Sequence, residues 1–222
     1  MTGLDFTPFP KIARLNRDIV ITEKIDGTNA AVVIVPVEQF DEWFPNGGGL
    51  LPGLDAIGAT AIAAGTHFVF AQSRTRFITP TSDNYGFAAW VERNAENLLV
   101  DLGEGTHFGE WWGSGIQRKY GRSGGDKSFS LFNTSRWQDV SFETPNLEVV
   151  PKLYEGVYDQ RAIDLSLELL RSQGSIAAPG FERPEGIVVF HTASRDLFKV
   201  TLEGDESPKG AAGHKLDEEV AR

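Results

Sequence analysis

A chain of 222 residues has room for one substantial domain, and its 41% hydrophobic and 11% aromatic content can build a core, which excludes a disordered polypeptide. The absence of cysteine excludes disulfide staples, thiolate chemistry and cysteine-based zinc sites together. A net charge of −10 argues against an extended phosphate-coating surface, although screening over about 10 Å at 0.1 M salt leaves room for a small cationic cleft on an acidic body.

The first residues, MTGLDFTPFPKIARLNRD, carry charges and prolines where a signal peptide needs an apolar run. No stretch nears the roughly 18 apolar residues of a membrane span, so a cytoplasmic protein without membrane contact is expected. DIVITEK is a β-branched strand running into Lys24, and NAAVVIVPV, after the turn IDG, is expected to be its hairpin partner. The Gly-, Pro- and Ala-rich stretch from Pro45 to Gly65 is expected to form a loop with a weak helix. HFVFAQSRTRF alternates as a third strand. From a cap at Ser82 or Asp83 to Gly103 the pattern is helical, with Phe87, Trp90, Val91, Ala95, Leu98 and Leu99 on one face. Further strands are expected at HFGEWWG, SFSLFNT, LEVVPKLYEG, EGIVVFH and LFKVTL, with a helix from Asp159 to Gln173 ended by Gly174. Residues 203–222 form a polar, acidic tail behind a single domain of residues 1–202.

Lys24 stands at the end of its strand, two residues before the turn pair Asp26-Gly27, which would fix a lysine at the lip of a sheet. A lysine that attacks a phosphate must do so as a neutral amine. The short pattern KxDG is also met by ordinary surface turns, so it does not decide the matter alone. GRSGGDKS, from Gly121 to Ser128, is not a phosphate loop, because Asp126 separates Gly125 from Lys127. The four histidines show no ligand spacing. Arg118, Lys119, Arg122 and Lys127 form the densest basic cluster, either a solvated loop or a contact to the phosphates of a nucleic acid.

Six segments stand out in order: EKIDGTN (Glu23 to Asn29), AQSRTR (Ala71 to Arg76), FGEWWGSGIQRKYG (Phe108 to Gly121), SFSLFN (Ser128 to Asn133), PEGIVVF (Pro184 to Phe190) and LFKVTL (Leu197 to Leu202). Together, over most of the chain, they resemble the motifs of the ATP-dependent RNA ligases, especially the second bacteriophage RNA ligase class and the trypanosome editing ligases. The third segment is the most specific, since that group has a very similar glycine-glutamate-aromatic stretch running into GIQ. The resemblance implies Lys24 as the nucleophile, Glu23 and Asn29 as nucleotide-binding residues beside it, and Arg74 as a further nucleotide-binding residue at the active site. It further implies Glu110 as the reader of the ribose hydroxyls, Phe132 as the ring that stacks on adenine, Glu185 as the organiser of the metal and the lysine, and Lys199 as a phosphate contact. Arg118, Lys119 and Arg122 would be RNA contacts.

The same resemblance implies an α+β fold: an ATP-grasp-like ligase nucleotidyltransferase domain of antiparallel sheets with peripheral helices and the nucleotide cleft between sheets. It implies ATP with Mg²⁺ or Mn²⁺, and as substrate an RNA bearing 5′-phosphate and 3′-hydroxyl ends, such as a nicked duplex. Two positions depart from the pattern: Thr201 stands where a second lysine is usual, and Asn133 where an aspartate is. A threonine donates a hydrogen bond but brings no charge, which makes Lys209 a candidate substitute. No oligonucleotide-binding barrel is expected after the last motif, which favours an RNA ligase over DNA ligases and capping enzymes, and leaves open an enzyme that needs an accessory RNA-binding partner. A capping-type transferase and a non-catalytic nucleotide- or RNA-binding relic are the alternative classes.

Overall fold

Between Asp18 and Lys24 the buried residues are Ile19, Ile21 and Glu23, the alternation of a strand with one face in a core. This strand, β1, belongs to a computed structural model that describes residue 9, residues 11–39 and residues 62–203. Most of the expected Pro45–Gly65 loop, the tail beyond residue 203 and Lys209 lie outside the described residues; the end of that loop, Ile62–Ala64, is strand β3.

β1 does not form a hairpin with the next strand, β2 (Thr28–Pro36). β2 is buried without alternation from Ala30 to Val35, so both of its faces need cover. It finds its neighbours in another sheet, pairing antiparallel with β4 (His67–Ser73) and β6 (Gly105–Gly113). The turn 25–27 therefore carries the chain from one sheet to the other. The expected third strand is likewise divided, since residues 74–76 turn the chain back and β5 (Phe77–Ile78) pairs with β4.

The larger sheet runs β3-β4-β2-β6-β7-β8, with β7 at Lys127–Leu131 and β8 at Leu147–Val149. Its β7–β8 pair is parallel, so the sheet is not wholly antiparallel. Helices α1 (Phe87–Arg93) and α2 (Ala95–Leu102) cover one face, packing Phe87, Trp90, Val91 and Leu98 on Val32, Val69, Trp111 and Phe129. These are two helices where one was expected, because the backbone leaves helical geometry at Asn94. The first starts only at Phe87, with Asp83 accepting hydrogen bonds from the amides of Ala88 and Ala89. The short α3 (Thr134–Trp137) follows β7, and Asn133 caps it by accepting from the amide of Arg136.

The smaller sheet has the order β11-β10-β1-β9, with β9 at Lys152–Val157, β10 at Gly186–His191 and β11 at Asp196–Thr201. LEVVPKLYEG, expected as one strand, supplies β8 to the large sheet and β9 to the small one, the break falling at Val150-Pro151. Helix α4 (Gln160–Gln173), capped by Asp159, packs Ile163, Leu167 and Leu170 on Ile19, Ile21, Ile187 and Val189. The architecture is α+β: two sheets, each with a helix-covered face. No helix among the described residues is long and apolar enough to cross a membrane.

Candidate active site

A cleft of about 800 Å³ is lined by residues from both sheets: Lys24, Asp26, Gly27, Thr28, Asn29, Arg74, Glu110, Gln117, Glu185, Val188, Leu197, Phe198 and Lys199. A volume of this size suits a small-molecule ligand such as a nucleotide. The small-sheet side follows from register. Lys24 pairs across β10 with Gly186 and Thr22 with Val188, while β11 sets Thr201 against Gly186 and Lys199 against Val188. Cross-strand partners share a face, so Lys24, Val188, Lys199 and Thr201 point the same way. Lys24 Nζ reaches Glu185 Oε2 at 2.5 Å, with both side chains largely sheltered from solvent. Gly186 lets β10 and β11 pair this closely: a Cβ there would stand 2.2 Å from the carbonyl oxygen of Val200, and its φ is +151°.

On the large-sheet side, Asn29 of β2 pairs with Glu110 of β6. The Glu110 carboxylate accepts the amide proton of Gly27 at 3.0 Å. Only glycine allows so close an approach, since a Cβ at position 27 would lie 2.5 Å from the carbonyl oxygen of Trp111. The turn behind the lysine is thereby tied to the strand that presents the carboxylate. Burial pushes the Glu110 carboxyl up to about 7, against the lowering influence of Lys24 and the Gly27 amide, with Glu185 and Asp26 adding to the rise. Asp26 is held in turn, its carboxylate by Arg118 Nε at 3.1 Å and its amide by the hydroxyl oxygen of Tyr120 at 2.8 Å.

Of the residues expected at a nucleotide site, Lys24, Asn29, Arg74, Glu110, Glu185 and Lys199 line this one cleft. Glu23 does not: its carboxylate is 1% exposed on the helix-facing side of β1, because neighbours in a strand point to opposite faces. Phe132 is outside the lining, but its amide bonds to the carbonyl of Phe108, which continues the β6–β7 register and puts both rings on the face of Glu110, each partly exposed. Arg122 is turned to internal work, stacking 3.9 Å over the Trp112 ring and pairing with Asp126 and Glu148. Arg118 donates to Asp26 and to the carbonyl of Arg183, while Lys119 is exposed.

Sequence reasoning missed Asp26, Thr28, Gln117, Val188, Leu197 and Phe198 as cleft residues. Val188 was within reach of it, being two residues from Gly186 in an alternating strand; Gln117 was not, since its position follows from a backbone with φ of 41°. Among the described residues no group of three His, Asp or Glu forms a metal-ligand cluster. Glu110 and Asp26 are engaged with the Gly27 amide and Arg118, so the carboxylate of Glu185 is the cleft donor that suits a hard divalent ion, whose other ligands would be phosphate oxygens and water.

A family model described as RNA ligase matches residues 17–201. Among solved structures, an arginine-to-alanine mutant of Naegleria gruberi RNA ligase with ATP and Mn is similar at 15% identity and a TM-score of 0.44, covering 84% of this chain and 50% of that one. The chain spans about half the length of that protein. Comparison with curated proteins gives no match.

Proposed function

The chain belongs to the RNA ligase family, and from that premise we propose that it is an ATP-dependent RNA ligase whose Lys24 takes AMP from ATP. The observation that carries this reading is the convergence on one cleft of Lys24, its partner Glu185 at 2.5 Å, Glu110 anchored on Gly27, and the cations Arg74 and Lys199.

In the first step Lys24 Nζ attacks the α-phosphorus of ATP. A nitrogen–phosphorus bond forms, the bond to the bridging oxygen breaks, and pyrophosphate leaves. Glu185 Oε2 is placed to take the proton that the amine sheds. Lys199 and Arg74 face the phosphates and offset the charge that develops on them. Glu110 accepts from the ribose hydroxyls, and Phe132, on the same sheet face, offers its ring to the adenine. In the second step an oxygen of an RNA 5′-phosphate attacks the AMP phosphorus and frees Lys24. In the third a 3′-hydroxyl attacks the activated phosphate, joins the strands and expels AMP. A divalent cation, Mg²⁺ or Mn²⁺, held by the phosphates with Glu185 as protein ligand, would supply charge neutralisation to these transfers.

The test is to incubate the protein with α-labelled ATP or GTP and Mg²⁺, isolate the adduct, and chase it with 5′-phosphorylated RNA. The expected result is an acid-labile, alkali-stable label from ATP alone, which the RNA then removes. A label from GTP in preference would mark a capping-type transferase, and no label from either would leave the family without its chemistry in this chain.

A further inference from the structure

Alternation along β1 sends Lys24 to the cleft and Glu23 to the opposite face, where it pairs across the sheet with Ile187 and is 1% exposed. A carboxylate in such a place is costly unless donors surround it. Three do: Ser175 Oγ donates at 2.6 Å, and the amides of Ile176 and Ala177 donate at 2.8 and 2.9 Å. Burial still raises the pKa of Glu23 against the effect of these bonds, so the contact is kept at a cost to the charged form.

The segment gripped in this way also supports the far side of the nucleophile. Ala178 and Phe181 share a cluster with Ile25, Trp112 and Tyr120. The rings of Phe181 and Tyr120 lie 4.6 Å apart, and the Tyr120 hydroxyl oxygen accepts the amide proton of Asp26 at 2.8 Å. The amide of Glu23 itself donates to the carbonyl of Pro151 at 2.9 Å, beside the register shift between β1 and β9. Residues on both sides of Lys24 are thus fastened to one loop and to Tyr120, while Lys24 projects the other way to meet Glu185.

Building on the proposed function, we infer that Glu23 is a positioning residue for Lys24: its carboxylate grips the loop at 175–177 and so fixes the direction of the nucleophile, with no contact to the nucleotide. Reactive geometry is strict, and a displacement of about 1 Å costs on the order of 100-fold in rate.

The experiment is single-turnover adenylylation by the full chain with α-labelled ATP and Mg²⁺, for wild type, Glu23→Gln, Glu23→Asp and Ser175→Ala. It reads three quantities: the rate constant at saturating ATP, the ATP concentration at half-saturation, and the amplitude. Glu23→Gln should lower the rate constant by about 10- to 100-fold, with half-saturating ATP within about threefold of wild type. Ser175→Ala, which keeps the carboxylate and both amide donors, should lower it by about 3- to 10-fold, and Glu23→Asp should recover part of the Gln loss. A raised half-saturating ATP at an unchanged rate constant would make Glu23 a nucleotide ligand and overturn the inference. A reduced amplitude at an unchanged rate constant would leave Glu23 with stability alone and overturn it too. If Glu23→Gln does not fold, Ser175→Ala decides by the same criteria. Absence of any wild-type adduct overturns the proposed function and this inference together, whereas normal rate constants in variants of an active wild type overturn only the inference.

Discussion

Glu110 carries a carboxyl raised from an ordinary 4.5 to about 7, chiefly by burial. A raised folded-state value means that the folded protein holds the proton more tightly than the unfolded chain, so the associated stability is complete below pH 4.5 and is lost as the pH climbs through about 7. Glu110→Gln keeps an acceptor for the Gly27 amide without the charge. It should therefore be more stable than wild type above pH 7, on the order of 2 kcal/mol, with the gap closing towards pH 4.5 in urea melts at a series of pH values. The same variant should lose adenylylation, because the ribose hydroxyls lose a charged acceptor. Thr201 supports a second residue-scale prediction. It sits across Gly186 from Lys24, on the same face, and its hydroxyl donates to the carbonyl of Glu203. Thr201→Lys would add a cation to the phosphate side of the cleft, so the Mg²⁺ concentration for half-maximal adenylylation should fall by about fivefold, equivalent to roughly 1 kcal/mol. An unchanged Mg²⁺ curve would place position 201 away from the phosphates. At this scale the motif residues that reach the cleft lining are those on an exposed turn or a cleft-facing strand position, as with Lys24, Arg74 and Lys199. Glu23, the neighbour of Lys24 in its motif, lies on the opposite face of β1, a separation that strand alternation alone dictates.

Among the elements, β1, β10 and α4 were legible because each carries one clear period: alternation in the strands, and a capped, Gly-terminated apolar stripe in the helix. The placing of β1 and β2 in different sheets was not legible. Sequence adjacency favours a hairpin, but the sheet to which a strand belongs is decided by partners far along the chain, here β9 and β10 for one and β4 and β6 for the other. The break of the expected single helix at Asn94 was equally hidden, since the apolar face continues in phase from Val91 to Ala95 and Leu98. β10 and β11 carry the strictest local requirement in the small sheet. Gly186→Ala should destabilise the protein by more than about 2 kcal/mol, as an added Cβ meets the Val200 carbonyl at 2.2 Å in a backbone region that disfavours side chains. Because Glu185 and Lys199 are placed by the same pairing, the folded fraction should also adenylylate more slowly. A melting point equal to wild type would show that β10 and β11 can separate without consequence.

At the scale of the whole molecule, the net charge of −10 and the internal use of nearby cations limit how an RNA can be held. Arg122 is engaged with Trp112, Asp126 and Glu148, and Arg118 with Asp26, so among the described residues the cleft lining offers few cations to a polyanion, Arg74 and Lys199 beside Lys24, with Lys119 exposed. Each phosphate neutralised contributes about 0.7 to 0.9 to the slope of log affinity against log salt, so RNA binding should show a shallow dependence, with a slope of magnitude below about 3. A much steeper slope would require a cationic surface elsewhere. The central claim, that the two sheets converge to make Lys24 a nucleophile towards ATP, is tested most directly by intact-protein and peptide mass measurement after incubation with ATP and Mg²⁺. The account predicts one AMP per wild-type chain, located on Lys24, and none on Lys24→Ala or on Lys24→Arg, whose guanidinium stays protonated. An AMP adduct on another residue, or an undiminished adduct on either variant, would contradict it.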